Sequence, residues 1–226
     1  MKYDRSNKSN NENIFKWDTE NWSKTLELWN RMIYESFEGL KVLELGAGDG
    51  SLSIWTSNQG GDVICSDLSI TDEKINTIKS QIVNTKKIKF EKIDILDIPY
   101  TDYFDVILFK SVLGGLRSYN KQKAAFEQIH KALKNNGKLL FCENMKSTFI
   151  HQYFRSKKPW AYYWRYPSYN ELINMSKQFR KINYDTYGLI GAGDFPLKTF
   201  RVKIDYLSKL IFPTEWFYIF AGVYQK

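Results

Sequence analysis

Short apolar runs alternating with polar, helix-spaced stretches fill most of this chain. Val42, Leu43 and Leu45, then Val63-Ile64-Cys65, then Ile88, Phe90 and Ile93, then Phe104 to Phe109, and then Leu139 to Cys142 each have the length of a strand. The Phe104 to Phe109 run is apolar enough for the centre of a parallel sheet, covered on both faces. Between these runs, Ser51 to about Asn58 predicts a helix ended by Gly60-Gly61, and Thr71 to Val83 a polar amphipathic one. Asn120 to about Lys134 predicts a third, with Phe126, Ile129 and Leu133 on one face and Asn135-Asn136-Gly137 as its stop. Alternation of this kind predicts an α/β fold.

The two ends are less regular. Residues 1 to 15 are rich in Asn, Ser and Lys without apolar periodicity and read as a flexible tail. From Asp18, the residues Trp22, Leu26, Trp29 and Ile33 recur at helical spacing, so a helix is expected over 16–36 with Asp18 or Asn21 as its cap. Towards the other end, Ser168 to about Lys177 predicts a helix, Lys181 to Thr186 a strand, and Gly188 to Pro196 a loop. Phe200 to Leu210 has helical character, and Trp216 to Tyr224 reads as a last strand. At 226 residues the chain suits a single domain: the tail, the first helix, a core over 37–145, and an acceptor-recognition segment over 146–226.

Composition narrows the setting. No run of about 20 apolar residues exists, and the polar start lacks the apolar centre of a secretory signal. Only Cys65 and Cys142 are present, with no metal-ligand spacing, which points to packed thiols in a reducing, cytoplasmic compartment. The formal charge of +8 favours an anionic partner, or reflects a composition rich in Lys, Asn and Ile.

Candidate chemistry begins at Glu44-Leu45-Gly46-Ala47-Gly48-Asp49-Gly50-Ser51, where three glycines at alternate positions close the first strand. Glycines there let the backbone turn sharply and approach a ligand before a helix starts. Dinucleotide-binding folds share the layout but use Gly-x-Gly-x-x-Gly for a pyrophosphate. The acidic residue followed by Gly-x-Gly-x-Gly, continued from Lys41 to Cys142, resembles the first motif and core of the class I S-adenosylmethionine (SAM)-dependent methyltransferases. The resemblance implies a Rossmann-like, seven-stranded, mostly parallel sheet with helices on both faces. In that topology the last strand is inserted antiparallel between strands five and six. It also implies SAM as the cofactor, held by Glu44, Gly46, Ala47, Gly48, Asp67, Leu68, Asp94 and Ile95. Asp67, about 20 residues past the glycines, suits the two ribose hydroxyls. By the same resemblance Asp94 faces the adenine amine and Ile95 the adenine ring. Three roles are open to Lys110: touching the cofactor's carboxylate, touching a substrate anion, or standing as a solvated strand end.

The end of strand four lacks the Asn/Asp-Pro-Pro-Tyr of amine methyltransferases and carries Phe109-Lys110-Ser111-Val112. Glu143-Asn144 imitates half of a metal-dependent site, but Lys110 would repel a divalent cation, so no metal is expected. A hydroxyl acceptor calls for a base. His151 and Glu143 are the candidates; His130 reads as structural. The stretch from His151 to Tyr166 mixes rings with Arg155, Lys157, Lys158 and Arg165. Such a mixture suits a glycan-type acceptor bearing phosphate, a membrane interface, or a half-buried lid. The leading expectation is O-methylation of a small-molecule or glycan-type acceptor, with quinone, phenol or lipid acceptors as the alternative. RNA methylation lacks an RNA-binding module, so no specific nucleic acid is expected, and a non-catalytic SAM-binding module is the remaining class.

Overall fold

The computed structural model describes residues 14–33, 36–81, 88–190 and 207–226. Seven strands form one sheet: β1 (Lys41–Leu45), β2 (Asp62–Ser66), β3 (Ile88–Glu91), β4 (Phe104–Lys110), β5 (Leu133–Asn144), β6 (Lys181–Tyr187) and β7 (Ile219–Gln225). Their order is β3-β2-β1-β4-β5-β7-β6. The pairs among β1 to β5 are parallel, and β7 runs antiparallel to both β5 and β6. This is the topology the resemblance implies, with the final strand inserted where it was expected.

The helices are α1 (Thr19–Trp22), α2 (Lys24–Met32), α3 (Ser51–Asn58), α4 (Asp72–Lys79), α5 (Tyr119–Ala132), α6 (Phe149–Ser156) and α7 (Tyr169–Met175). Two apolar clusters sandwich the sheet: one holds Trp22, Trp29, Val42, Leu52 and Val106, the other Leu43, Ile107, Phe126, Phe141 and Tyr224. Alternate residues of β1 and β4 therefore face opposite clusters, which is why these strands read as continuously apolar. Cys65 and Cys142 are free thiols, and both are fully buried.

Several boundaries differ from the pattern-based expectation. The first helix is broken at Ser23 and ends at Met32; Asp18 precedes it with φ of 40° and no side-chain cap, and Asn21 is buried. Helix α5 stops at Ala132, so Leu133 to Gly137 belong to β5. Leu133 pairs with Phe104 across an irregularity in the β4–β5 register. Its buried side chain suits a strand as well as a helix face, and the sheet takes it. Strand β3 ends at Glu91, and β7 starts at Ile219 after a 3-10 turn over Thr214–Trp216. Val83, the Gly191 to Pro196 part of the expected loop, the Phe200 to Tyr206 part of the expected helix, and the first thirteen residues lie outside the described residues.

Candidate active site

The glycine loop leaves β1 with Gly46, Gly48 and Gly50 at φ of 61°, 56° and 70°, all in the left-handed region that favours glycine. A Cβ on Gly46 would stand 2.7 Å from Val112 Cγ2, whereas one on Gly48 would meet nothing within 4 Å. The loop is thus packed from one side and open above Gly48. Two bonds tie it to β2: Ala47 N–H donates to Ser66 O at 2.9 Å, and Gly48 N–H to Asp67 Oδ2 at 2.8 Å. Asp67 Oδ1 accepts from the Ser69 N–H and hydroxyl, both at 2.7 Å. Partial burial works against the Asp67 charge, but the Ser69 and Gly48 donors and Lys74 outweigh it and hold the carboxyl below its usual range. Leu68 beside it is 54% exposed.

Glu44 lies beneath the loop rather than on its open side. Its Oε2 accepts from Ser53 N–H at 2.7 Å and Ser53 Oγ at 2.5 Å, so it holds the start of α3. Complete burial pushes its pKa up to about 7 despite the Ser53 donors. Asp94 Oδ1 accepts from Leu96 N–H at 2.9 Å, fixing the turn after β3, and Ile95 is buried in the second apolar cluster. Lys110 is held by partners within the protein. Its Nζ donates to Ile14 O at 2.7 Å and Ser51 Oγ at 3.3 Å, and it sits over the rings of Phe15 and Trp17. It ties the segment before α1 across the start of α3.

The ends of β4 and β5 are joined through Glu143, which is fully buried. Oε2 accepts from Leu113 N–H at 2.7 Å and Oε1 from its neighbour Asn144 at 2.9 Å. Burial pushes it up to about 7 although these amides, with that of Val112, favour the charge. Asn144 Nδ2 in turn donates to Ser111 Oγ at 2.9 Å. Val112 therefore belongs to both halves: its side chain packs on Gly46 and its amide on Glu143.

Helix α6 rises just beyond, capped by Thr148. His151 Nε2 lies 2.9 Å from Leu189 O, and its ring packs on Tyr218 at 5.3 Å. A carbonyl partner requires Nε2 to carry the proton, which leaves the lone pair on Nδ1. Burial lowers the His151 pKa, so the ring is neutral at neutral pH. One turn on, Arg155 donates to Met145 O and covers the rings of Tyr166 at 4.1 Å and Tyr218 at 5.6 Å. It makes no ion pair among the described residues. Tyr218 also donates to Asp18 Oδ2, closing this side against α1. His130 is remote from all of this, packed on Phe179 at the far end of α5.

A methyltransferase-domain family model matches residues 18–184. The chain belongs to that family. Relatives include demethylmenaquinone methyltransferases of Clavibacter sepedonicus, 24% identical over 106 residues (46% of this chain, 41% of the relative), and of Renibacterium salmoninarum, 28% identical over 125 residues (54% and 49%). The chain thus spans less than half the length of these curated relatives. Among solved structures, phosphoethanolamine N-methyltransferase 2 of Haemonchus contortus, in complex with S-adenosyl-L-methionine, superposes with a TM-score of 0.66 at 15% identity, covering 96% of this chain and 56% of that one. A possible histamine N-methyltransferase of Thermotoga maritima gives 0.62 at 13% identity, with 91% and 90% covered. At such identities the superpositions speak for the fold.

The cofactor of this methyltransferase domain is SAM, and the residues present fit it. The open face above Gly48, the half-exposed ionised Asp67 and the Asp94 turn line the carboxyl ends of β1, β2 and β3, where open α/β sheets bind nucleotides. A cavity of about 490 Å³ lined by His130, Asn135, Asn136, Arg180 and Lys226 lies at the opposite end of β5, and it has none of these acceptors. No cluster of His, Cys, Asp and Glu able to hold a metal is found among the described residues. Three contributors were not singled out from the sequence: Ser53, Val112 and Tyr218. Arg155, noticed then only for its charge, stands one helical turn from His151, a spacing that places both on one face.

Proposed function

We propose that the domain transfers the methyl group of SAM to a hydroxyl of a small acceptor lying against His151, Arg155 and Tyr166, and that this acceptor is an apolar ring-bearing or lipid-type molecule, a phenol or the reduced (quinol) form of a quinone. The observation that carries the reading is the two-sided character of α6. Its inward side offers a neutral imidazole and a guanidinium, and its outward side is apolar. SAM supplies an electrophilic methyl group on a sulfonium, so the residues around it chiefly align the acceptor oxygen. His151 Nδ1 takes the proton that the hydroxyl loses. Arg155 steadies oxygen-rich or anionic groups of the acceptor without displacing a carboxylate partner. Glu143, its carboxylate committed to backbone amides, positions the Leu113–Leu116 turn instead of acting as the base. Two relatives named demethylmenaquinone methyltransferases favour a quinone-type ring as the acceptor's scaffold, without bearing on which of its atoms is methylated.

A glycan acceptor is the second reading, favoured by Trp160, Tyr162 and Tyr163 standing exposed beside Lys157 and Lys158, a surface suited to sugar faces and phosphate. The two are separated by incubating the protein with methyl-labelled SAM and a panel of naphthoquinols, phenols, sugars and sugar phosphates. Label in the solvent-extractable ring compounds is the expected result. Label confined to the sugar fraction would move the assignment to the glycan.

A further inference from the structure

Helix α6 is turned inside out. Phe149, Ile150, Tyr153 and Phe154 fall on one face and are 80%, 52%, 59% and 65% exposed, while His151 and Arg155 point inward. No residue of the helix is buried. A surface helix of a globular protein normally gives its apolar stripe to the core and its polar residues to water. The apolar surface continues past the helix, through Trp160, Tyr162 and Tyr163 of the next 3-10 turn. Exposed Trp216 adjoins it, since Ser147 Oγ donates to Trp216 O at 2.5 Å just before α6, and Trp216 packs on Phe212 at 5.3 Å, next in the chain to exposed Leu210 and Ile211. Contiguous exposure of this kind marks an interaction surface.

Along α6 and the turn after it the charge is of one sign, and Glu215 at the 210–216 corner is an exposed acid beside them. Between Glu143 and Glu171 stand Lys146, Arg155, Lys157, Lys158 and Arg165 and no acidic residue. Lys157 and Lys158 lie beside the rings of Tyr153 and Trp160. Exposed Phe, Trp and Tyr mixed with Lys match the headgroup layer of an anionic bilayer, where rings enter the acyl boundary and ammonium groups meet lipid phosphate. A two-fold pairing of the same face with a second copy would set these cations against themselves. No helix among the described residues is long and apolar enough to cross a membrane.

We infer that α6, the 3-10 turn after it and the 210–216 corner seat the protein on the surface of an anionic lipid bilayer. The helix that docks also carries His151 and Arg155. Resting on the acceptor reading above, the same contact lets a leaflet-dissolved acceptor reach the inner side of α6 without crossing water.

The test is co-sedimentation of the full chain with vesicles of phosphatidylcholine alone or mixed with phosphatidylglycerol, at low and physiological salt. Binding should require phosphatidylglycerol and weaken with salt. The double substitution Phe149→Ser, Phe154→Ser should weaken it by about tenfold or more, and Lys157→Glu, Lys158→Glu should remove the preference for anionic lipid. SAM binding measured by calorimetry should be unchanged in both variants, showing that they fold. Absence of vesicle binding at low salt, binding unaffected by the aromatic substitutions, or a dimer in sedimentation equilibrium that those substitutions dissociate would each overturn the inference. Failure of the acceptor reading alone would show as intact vesicle binding with label only in sugars.

Discussion

Burial acts on Glu143 and His151 in opposite chemical senses: it keeps the acid protonated to a higher pH and the imidazole neutral to a lower one. Only His151 is then left with an uncommitted lone pair. His151→Ala should lower turnover by ~10²–10⁴-fold with SAM affinity nearly unchanged, and single-turnover rates beside calorimetry would check both halves. Wild-type rate should climb with pH through a value below the ordinary histidine pKa of 6.5 and then level. A His151→Ala enzyme retaining near wild-type turnover would remove the imidazole from the chemistry. Scarcity and spacing single out His151 and Asp67 in the sequence as candidates, and the substitutions here and at Asp67 test them. Ser53 and Val112 were not legible there, since a serine within a helix and a valine after a strand carry no pattern until the chain is folded around Glu44 and Gly46.

At the scale of elements, the strands and the glycine loop followed from apolar runs and glycine spacing, but the ends of helices often did not. The α5–β5 junction went to the strand because Leu133 gains a sheet partner in Phe104. The α7 start, by contrast, carries a complete capping box between Ser168 and Glu171. Ser168→Ala should cost about 1 kcal/mol and lower the melting temperature by roughly 2–4 °C, as calorimetry would read. Gly46→Ala meets two obstacles, a left-handed φ of 61° and Val112 Cγ2 at 2.7 Å. It should impair SAM binding more than overall stability, and pairing it with Val112→Ala should restore little, because the backbone strain remains. Full recovery in the pair would show that packing alone sets the loop. The inverted face of α6 was visible only as composition; its orientation depends on which side the Arg155 and His151 contacts hold.

For the molecule as a whole, the sheet order and the insertion of β7 came from family resemblance, because no local pattern distinguishes a central antiparallel strand from an edge. The resulting core encloses two acids whose pKa values rise from 4.5 to about 7, Glu44 and Glu143. A carboxyl raised in the folded state binds more protons there than when unfolded, so its stabilising contribution is full below 4.5 and is lost as pH rises through about 7. Histidines lowered by burial act in the other direction, so the useful quantity is a difference. Between about pH 5 and 8, wild type should lose stability relative to Glu143→Gln, read from melting temperatures across that range. A constant difference would mean that Glu143 stays charged in the fold.

The account's centre is the proposed SAM site at the carboxyl ends of β1 to β3, where an ionised Asp67 holds the glycine loop and is proposed to accept the ribose hydroxyls. Titration calorimetry of SAM into wild type and Asp67→Ala tests it most directly. One saturable site is predicted in wild type, weakened roughly tenfold or more by the substitution, the loss expected for a charge-assisted hydrogen bond worth ~1.5–3 kcal/mol. Absence of SAM binding, or an affinity that Asp67→Ala leaves unchanged, would contradict it.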